Sequence, residues 1–171
     1  MTSHSLPCAL KRGDPVGSFD CGVAGLNNWF RTLALRNQAA GASRTFMSIA
    51  DDAFIGGFYS MSSFTMVREL AVDFGRGMPD PIPATLIGRL AVDLRFRGAG
   101  LGASLLQDAV LRAIRVSLEV GSAAIVTHTR EESVVPFYER FGFTRLPGDE
   151  RTLMLPMVDA IATLQYRSET S

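Results

Sequence analysis

The stretch from Leu86 to Leu118 sets the tightest limits on what this chain can become. Leu86–Val92 is apolar apart from Gly88 and Arg89, which predicts a buried strand. Arg95 to Gly102 then forms a turn of arginines and glycines, built on Arg95, Arg97, Gly98, Gly100 and Gly102. Beyond it, Leu105, Leu106, Ala109, Val110, Ala113 and Ile114 recur as adjacent pairs every four residues. That spacing marks one buried face of a helix reaching about Leu118, with Gly121 as its stop. A strand that turns through glycines into a long helix exposes the helix's first N–H groups, which have no partner inside the helix. Such groups can hold an anion. Glycines let the backbone approach it or take dihedrals closed to a Cβ, and arginine forks add charge-assisted bonds. The turn is therefore a candidate diphosphate cradle, with a ligand-free glycine turn as the alternative. A P-loop is excluded, because no Gly-Lys-Ser/Thr follows. A dinucleotide fingerprint fits poorly, since the run lies in the second half of a short chain behind an arginine pair.

The remaining pattern predicts strands alternating with helices. Val16–Phe19 is expected to be a strand within loops. Leu26, Trp29, Phe30 and Leu33 stand at i, i+3, i+4 and i+7, which predicts a helix to about Ala40, ended by Gly41. Thr45–Ala50 and Ala53–Ser60 are expected as strands joined by an Asp51-Asp52 hairpin turn. Phe64 to about Val72 reads as a strand or short helix, and Asp73–Pro83 as a loop. Ala123–Thr127 is a further strand, Ser133–Phe141 a short helix, and Arg151–Leu155 a final strand. The expected class is α/β (α+β mixed), a single domain over residues 1–171 with a central twisted mixed sheet and helices on both faces.

Composition narrows the function classes. A chain of 171 residues buries roughly 70% of its unfolded surface and needs no metal or disulfide for a core. Seventeen basic side chains balance seventeen acidic ones, which excludes coating nucleic acid by net charge alone. A local patch remains open, because residues 89–115 hold five arginines against Asp93 and Asp108. Mean hydropathy is slightly positive, +0.16, which hints at a partner surface. Cys8, Cys21, His4 and His128 show no zinc-cluster spacing, so no metal is expected. Met1 to Ala9 lack a basic run followed by an apolar core, and no stretch approaches a membrane span, so a cytoplasmic protein is expected.

Against this background, Arg97-Gly98-Ala99-Gly100-Leu101-Gly102-Ala103 resembles the acyl-coenzyme A diphosphate loop of the GCN5-related N-acetyltransferase (GNAT) superfamily, whose pattern is Arg/Gln-x-x-Gly-x-Gly/Ala. Gly88 to Asp93, Leu105 to Ala109, Phe19-Asp20-Cys21-Gly22, Leu26 to Phe30, Gln38-Ala39, Arg44-Thr45-Phe46, Gly57 to Ser60, Pro83 to Arg89 and Phe137 to Phe143 resemble the acetyltransferase toxins of bacterial toxin–antitoxin pairs. The resemblance spans roughly residues 15 to 158. Val126-Thr127-His128-Thr129 and Val135-Pro136 depart from the toxins' usual residues.

The resemblance implies acetyl-CoA as donor, aminoacyl-tRNA as acceptor, a homodimer, and capture by a ribbon-helix-helix antitoxin. It implies coenzyme contacts from the backbone of Leu90, Ala91 and Val92, from Arg97, Gly98, Ala99, Gly100, Leu101, Gly102 and Ala103, and from Ser133 and Phe137. It also implies Tyr138 as the proton donor to the leaving thiolate, since a phenol is protonated at neutral pH. Arg36, Arg44, Arg89 and Arg95 are candidate contacts to acceptor phosphates. His128 is a candidate base or acceptor contact, because an unperturbed imidazole titrates at about 6.5. Two other functions stay open: an acetyltransferase for a small-molecule or protein amine, and a catalytically degenerate binding partner or co-repressor.

Overall fold

A computed structural model describes residues 3–171. Met1 and Thr2, which open the segment searched for a leader, lie outside the described residues. The fold is mixed α/β, a central sheet flanked by helices. Seven strands are ordered β1-β2-β3-β4-β5-β7-β6: β1 Cys8–Ala9, β2 Arg44–Ala50, β3 Phe54–Met66, β4 Ile82–Val92, β5 Ala124–His128, β6 Thr144–Leu146 and β7 Asp149–Pro156. The α-helices are α1 Ala24–Thr32, α2 Ala34–Ala39, α3 Val72–Gly75, α4 Leu101–Ser117, α5 Val135–Glu139 and α6 Met157–Glu169. Two compact units emerge. The first comprises the chain up to Ser62 with Gly88–Ala109; the second comprises Ser63–Ile87 with Val110–Ser171. No helix among the described residues is long and apolar enough to cross a membrane.

In the first unit the core is aromatic. Phe30 stacks on Phe58 with ring centroids 4.0 Å apart, and Phe19 meets Phe30 edge-on at 5.0 Å. The expected long helix is two, because Leu33 stretches to φ −115°, ψ −25° between α1 and α2. Asp51 and Asp52 both take positive φ, 50° and 57°, as a tight hairpin turn between β2 and β3 requires. Gly56 and Gly57 of β3 pack directly under α4. A Cβ on Gly57 would lie 2.7 Å from Leu105 Cδ1 and 2.9 Å from the Ala91 carbonyl. Val16–Ser18 is a 3-10 turn, not the expected strand, following Pro15.

In the second unit, β4 and β5 run parallel from Ala84↔Ala124 to Ile87↔Thr127. β5 pairs antiparallel with β7, and β6 with β7 forms a hairpin. Ile82, Ala84, Ala124, Val126, Leu146 and Met154 form part of the buried core. The expected element over Phe64–Val72 is the end of β3 followed by a 3-10 turn, and α3 and Pro83 of β4 occupy part of the expected loop. β6 and α6 are elements that the hydrophobic pattern did not announce.

Candidate active site

The glycine turn has the form that anion binding needs. Gly98 and Gly100 take φ +80° and +79°, left-handed values that a side chain adopts only under strain. Nothing lies within 4 Å of the place a Cβ would occupy on either. The turn is therefore open on the side where a side chain would otherwise stand. Ser104 N donates to Gly100 O at 3.1 Å, the first bond of α4. Leu101, Gly102 and Ala103 supply the first-turn N–H groups, which a helix leaves without intrahelical partners. An anionic diphosphate fits this cradle in both charge and space.

Its neighbouring arginines are anchored to the protein. Arg95 grips the buried Asp93 with two arms, Nε to Oδ1 and Nη2 to Oδ2, each 2.9 Å. It also lies over the Phe54 ring, 4.5 Å from the centroid. Burial alone would push the Asp93 carboxyl up. The Arg95 guanidinium, with the N–H groups of Asp20 and Arg95, outweighs that and holds it below the usual carboxylate range. Arg97 is exposed and donates to the Cys21 carbonyl at 2.9 Å. Both arginines thus fasten the Asp93–Gly100 turn to the segment around residues 18–21. Arg89 lies over the Trp29 ring, 4.1 Å from its centroid, so its guanidinium is stacked on the indole. Arg36 on α2 and Arg44 at the start of β2 are exposed.

Within the first unit, Leu90 and Val92 of β4 are half-buried and Ala91 is buried. In the second unit, Tyr138 on α5 is buried, and its ring meets Phe137 and Phe143 edge-on. Burial pushes its phenol above the ordinary value; a hydrogen bond with the Thr127 side chain works against this without overcoming it. Thr127 Oγ1 also donates to the Ile87 carbonyl at 3.0 Å, at the last pair of the β4–β5 ladder. Tyr138 is thus tied to the point where parallel pairing stops. Ser133 is exposed, with a long hydrogen bond of 3.4 Å to Glu131.

His128 follows Thr127 at the end of β5, exposed and edge-on to Phe64, with ring centroids 5.4 Å apart. Its Nδ1 lies 2.9 Å from Thr152 Oγ1, which donates to Asp149 Oδ2 at 2.7 Å. The Thr152 hydroxyl lowers the Asp149 carboxyl, helped by the Arg151 N–H. Sequence reasoning missed Thr127, Thr152 and Asp149. The strand Arg151–Leu155 is read from the sequence, but its antiparallel pairing with β5, which sets Thr152 opposite His128, has no local signal.

Residues 51–145 match the family model described as an acetyltransferase (GNAT) domain. The chain is 37% identical over 165 residues to the tRNA-acetylating toxin of Mycobacterium tuberculosis, covering 96% of this chain and 99% of that protein. Among solved structures it resembles AtaT complexed with acetyl-methionyl-tRNAfMet, with TM-score 0.85 and 25% identity over 95% of this chain and 99% of that one. It also resembles a tyrosine-to-phenylalanine variant of AtaT bound to the C-terminus of the antitoxin AtaR and acetyl-CoA. There the TM-score is 0.80 at 25% identity, over 95% and 99% of the two chains. The chain belongs to the GNAT acetyltransferases, in the group of the tRNA-acetylating toxins.

Proposed function

We propose that this chain transfers the acetyl group of acetyl-CoA to the α-amine of an aminoacyl-tRNA. In this reading it acts as a cytoplasmic, homodimeric toxin that a ribbon-helix-helix antitoxin captures. In an acetylated α-amine the nitrogen lone pair is delocalised into the new amide and cannot attack in peptide-bond formation, so translation stops. The observation that carries the donor half is the open left-handed turn at Gly98 and Gly100 leading into α4. The acceptor half rests on likeness to the Mycobacterium tuberculosis toxin.

When bound, the coenzyme supplies a thioester-activated acetyl group. The turn from Gly98 to Gly100 and the N–H groups of Leu101, Gly102 and Ala103 hold its diphosphate, and Arg97 adds positive charge. Backbone groups of Leu90, Ala91 and Val92 orient its arm and polarise the carbonyl. Ser133 and Phe137 line the approach to Tyr138. That tyrosine keeps its proton at Oη through the neutral range, ready for the departing thiolate. Arg36, Arg44 and Arg89 contact acceptor phosphates, while Arg95 acts through Asp93, shaping the turn. The α-amine of an aminoacyl ester titrates below the roughly 7.7–8 of a free α-amine, so much of it is neutral and able to attack.

The test is incubation with radiolabelled acetyl-CoA and total charged tRNA, followed by identification of the labelled amino acids. N-acetyl aminoacyl adducts are expected. Label appearing only on small amines or protein, with charged tRNA untouched, overturns the acceptor assignment.

A further inference from the structure

We propose that His128 is the base that takes the proton from the attacking amine, and that Thr152 and Asp149 hold its ring for that task. This rests on the acetyl-transfer reading above. Counting hydrogens at Thr152 decides the tautomer. Its hydroxyl has one proton, and the ionised Asp149 carboxylate 2.7 Å away can only accept, so that proton points to Asp149. Thr152 Oγ1 must then accept from His128 Nδ1 at 2.9 Å. The ring therefore carries its proton on Nδ1 and leaves a lone pair on Nε2. A base whose far nitrogen is fixed by a hydroxyl and a carboxylate has the arrangement of an activated catalytic imidazole.

Position points the same way. Consecutive strand residues face opposite sides of a sheet, and directly opposed pairs share a side. Thr127, with the Tyr138 phenol, lies on one face of β5. His128, paired with Thr152, lies on the other. Both stand where the β4–β5 ladder ends at Ile87↔Thr127. During acetyl transfer the incoming nitrogen and the outgoing sulfur share one carbon. Nitrogen and sulfur occupy different vertices of that carbon, so base and acid are different groups, and β5 carries His128 next to Thr127, the partner of Tyr138. The nitrogen–carbon bond forms, and the amine proton passes to Nε2, giving imidazolium. The carbon–sulfur pair leaves on sulfur, which takes the Tyr138 proton. His128 then releases its proton to water, and Tyr138 regains one from water.

The chain has two histidines, so imidazole nitrogen spectra are simple, and a His4→Gln background isolates His128. At pH 8, the unliganded protein should show a protonated Nδ1 and an unprotonated Nε2 at His128. Thr152→Val should shift the population toward the Nε2–H form. Asp149→Ala, which removes the acceptor of the Thr152 proton, should do the same if the valine variant unfolds. In single-turnover acetylation of charged tRNA, His128→Gln should be slower by about 10²-fold, with acetyl-CoA affinity unchanged. An Nε2–H wild-type ring, or His128→Gln within twofold of wild type, overturns the proposal. If wild type acetylates another amine but not charged tRNA, the acceptor reading fails alone. The same variants are then compared on that amine, and the tautomer result stands independently of it.

Discussion

Replacing Tyr138 with phenylalanine removes one oxygen from a buried ring and leaves the diphosphate cradle untouched. The variant should keep its acetyl-CoA affinity by calorimetry and lose about 10²-fold or more in turnover. Because burial holds this phenol above about 10, its ionisation should cause no fall in wild-type kcat between pH 7 and 9. A fall in that range that vanishes in Tyr138→Phe would remove the proton-donor role. Gly100→Glu tests the other end of the chemistry. At φ +79° any side chain costs about 1–2 kcal/mol, but nothing lies within 4 Å to clash, so the protein should still fold. Acetyl-CoA binding should be lost, and unaltered affinity would exclude the cradle. Both candidates are named at the sequence level: Gly100 from the contiguous Gly98-Ala99-Gly100 turn, and Tyr138 through the resemblance carried by Phe137 to Phe143. The partners of His128 were not, since Asp149 and Thr152 meet it only through antiparallel pairing of β5 with β7.

Among the elements, α4 and β3 were predicted from periodicity, yet their closeness depends on Gly56 and Gly57, for which an apolar pattern has no symbol. Gly57→Ala would drive a methyl into the Ala91 carbonyl and Leu105, and should cost about 2–3 kcal/mol by urea unfolding. A cost near zero would mean that α4 shifts freely on the strand. Asp93, at the end of β4, joins that strand to the turn through Arg95 and to Asp20 through its N–H. Its folded-state carboxyl titrates below the unfolded value of about 3.9. The stabilisation is therefore present above about pH 4 and is lost as pH falls through the lower folded value. Asp93→Ala should cost about 3 kcal/mol at pH 7, and the gap to wild type should narrow below pH 4. The break between α1 and α2 escaped the sequence, because the apolar stripe from Leu26 runs up to Leu33 at the break itself and no glycine or proline marks it before Gly41. β6 escaped because three residues carry too little alternation to register.

For the whole molecule, equal numbers of basic and acidic side chains give no net field to draw tRNA in. Affinity must then come from a few placed arginines. The count of five between residues 89 and 115 overstates the supply, since Arg95 is spent on Asp93 and Arg97 reaches toward Cys21. The proposed reading assigns the phosphate contacts to Arg36, Arg44 and Arg89, all in the first unit. Each phosphate neutralised contributes about 0.7–0.9 to the slope of log affinity against log salt. Three contacts therefore predict a slope of about −2 to −3. Alanine at any one of the three should flatten it by about one contact's share and leave acetyl-CoA affinity unchanged. Slopes identical to wild type in all three variants would move the acceptor's backbone to another face. A wild-type slope much steeper than three contacts allow would instead add further exposed arginines of the chain, such as Arg115 and Arg130, to the tRNA contact.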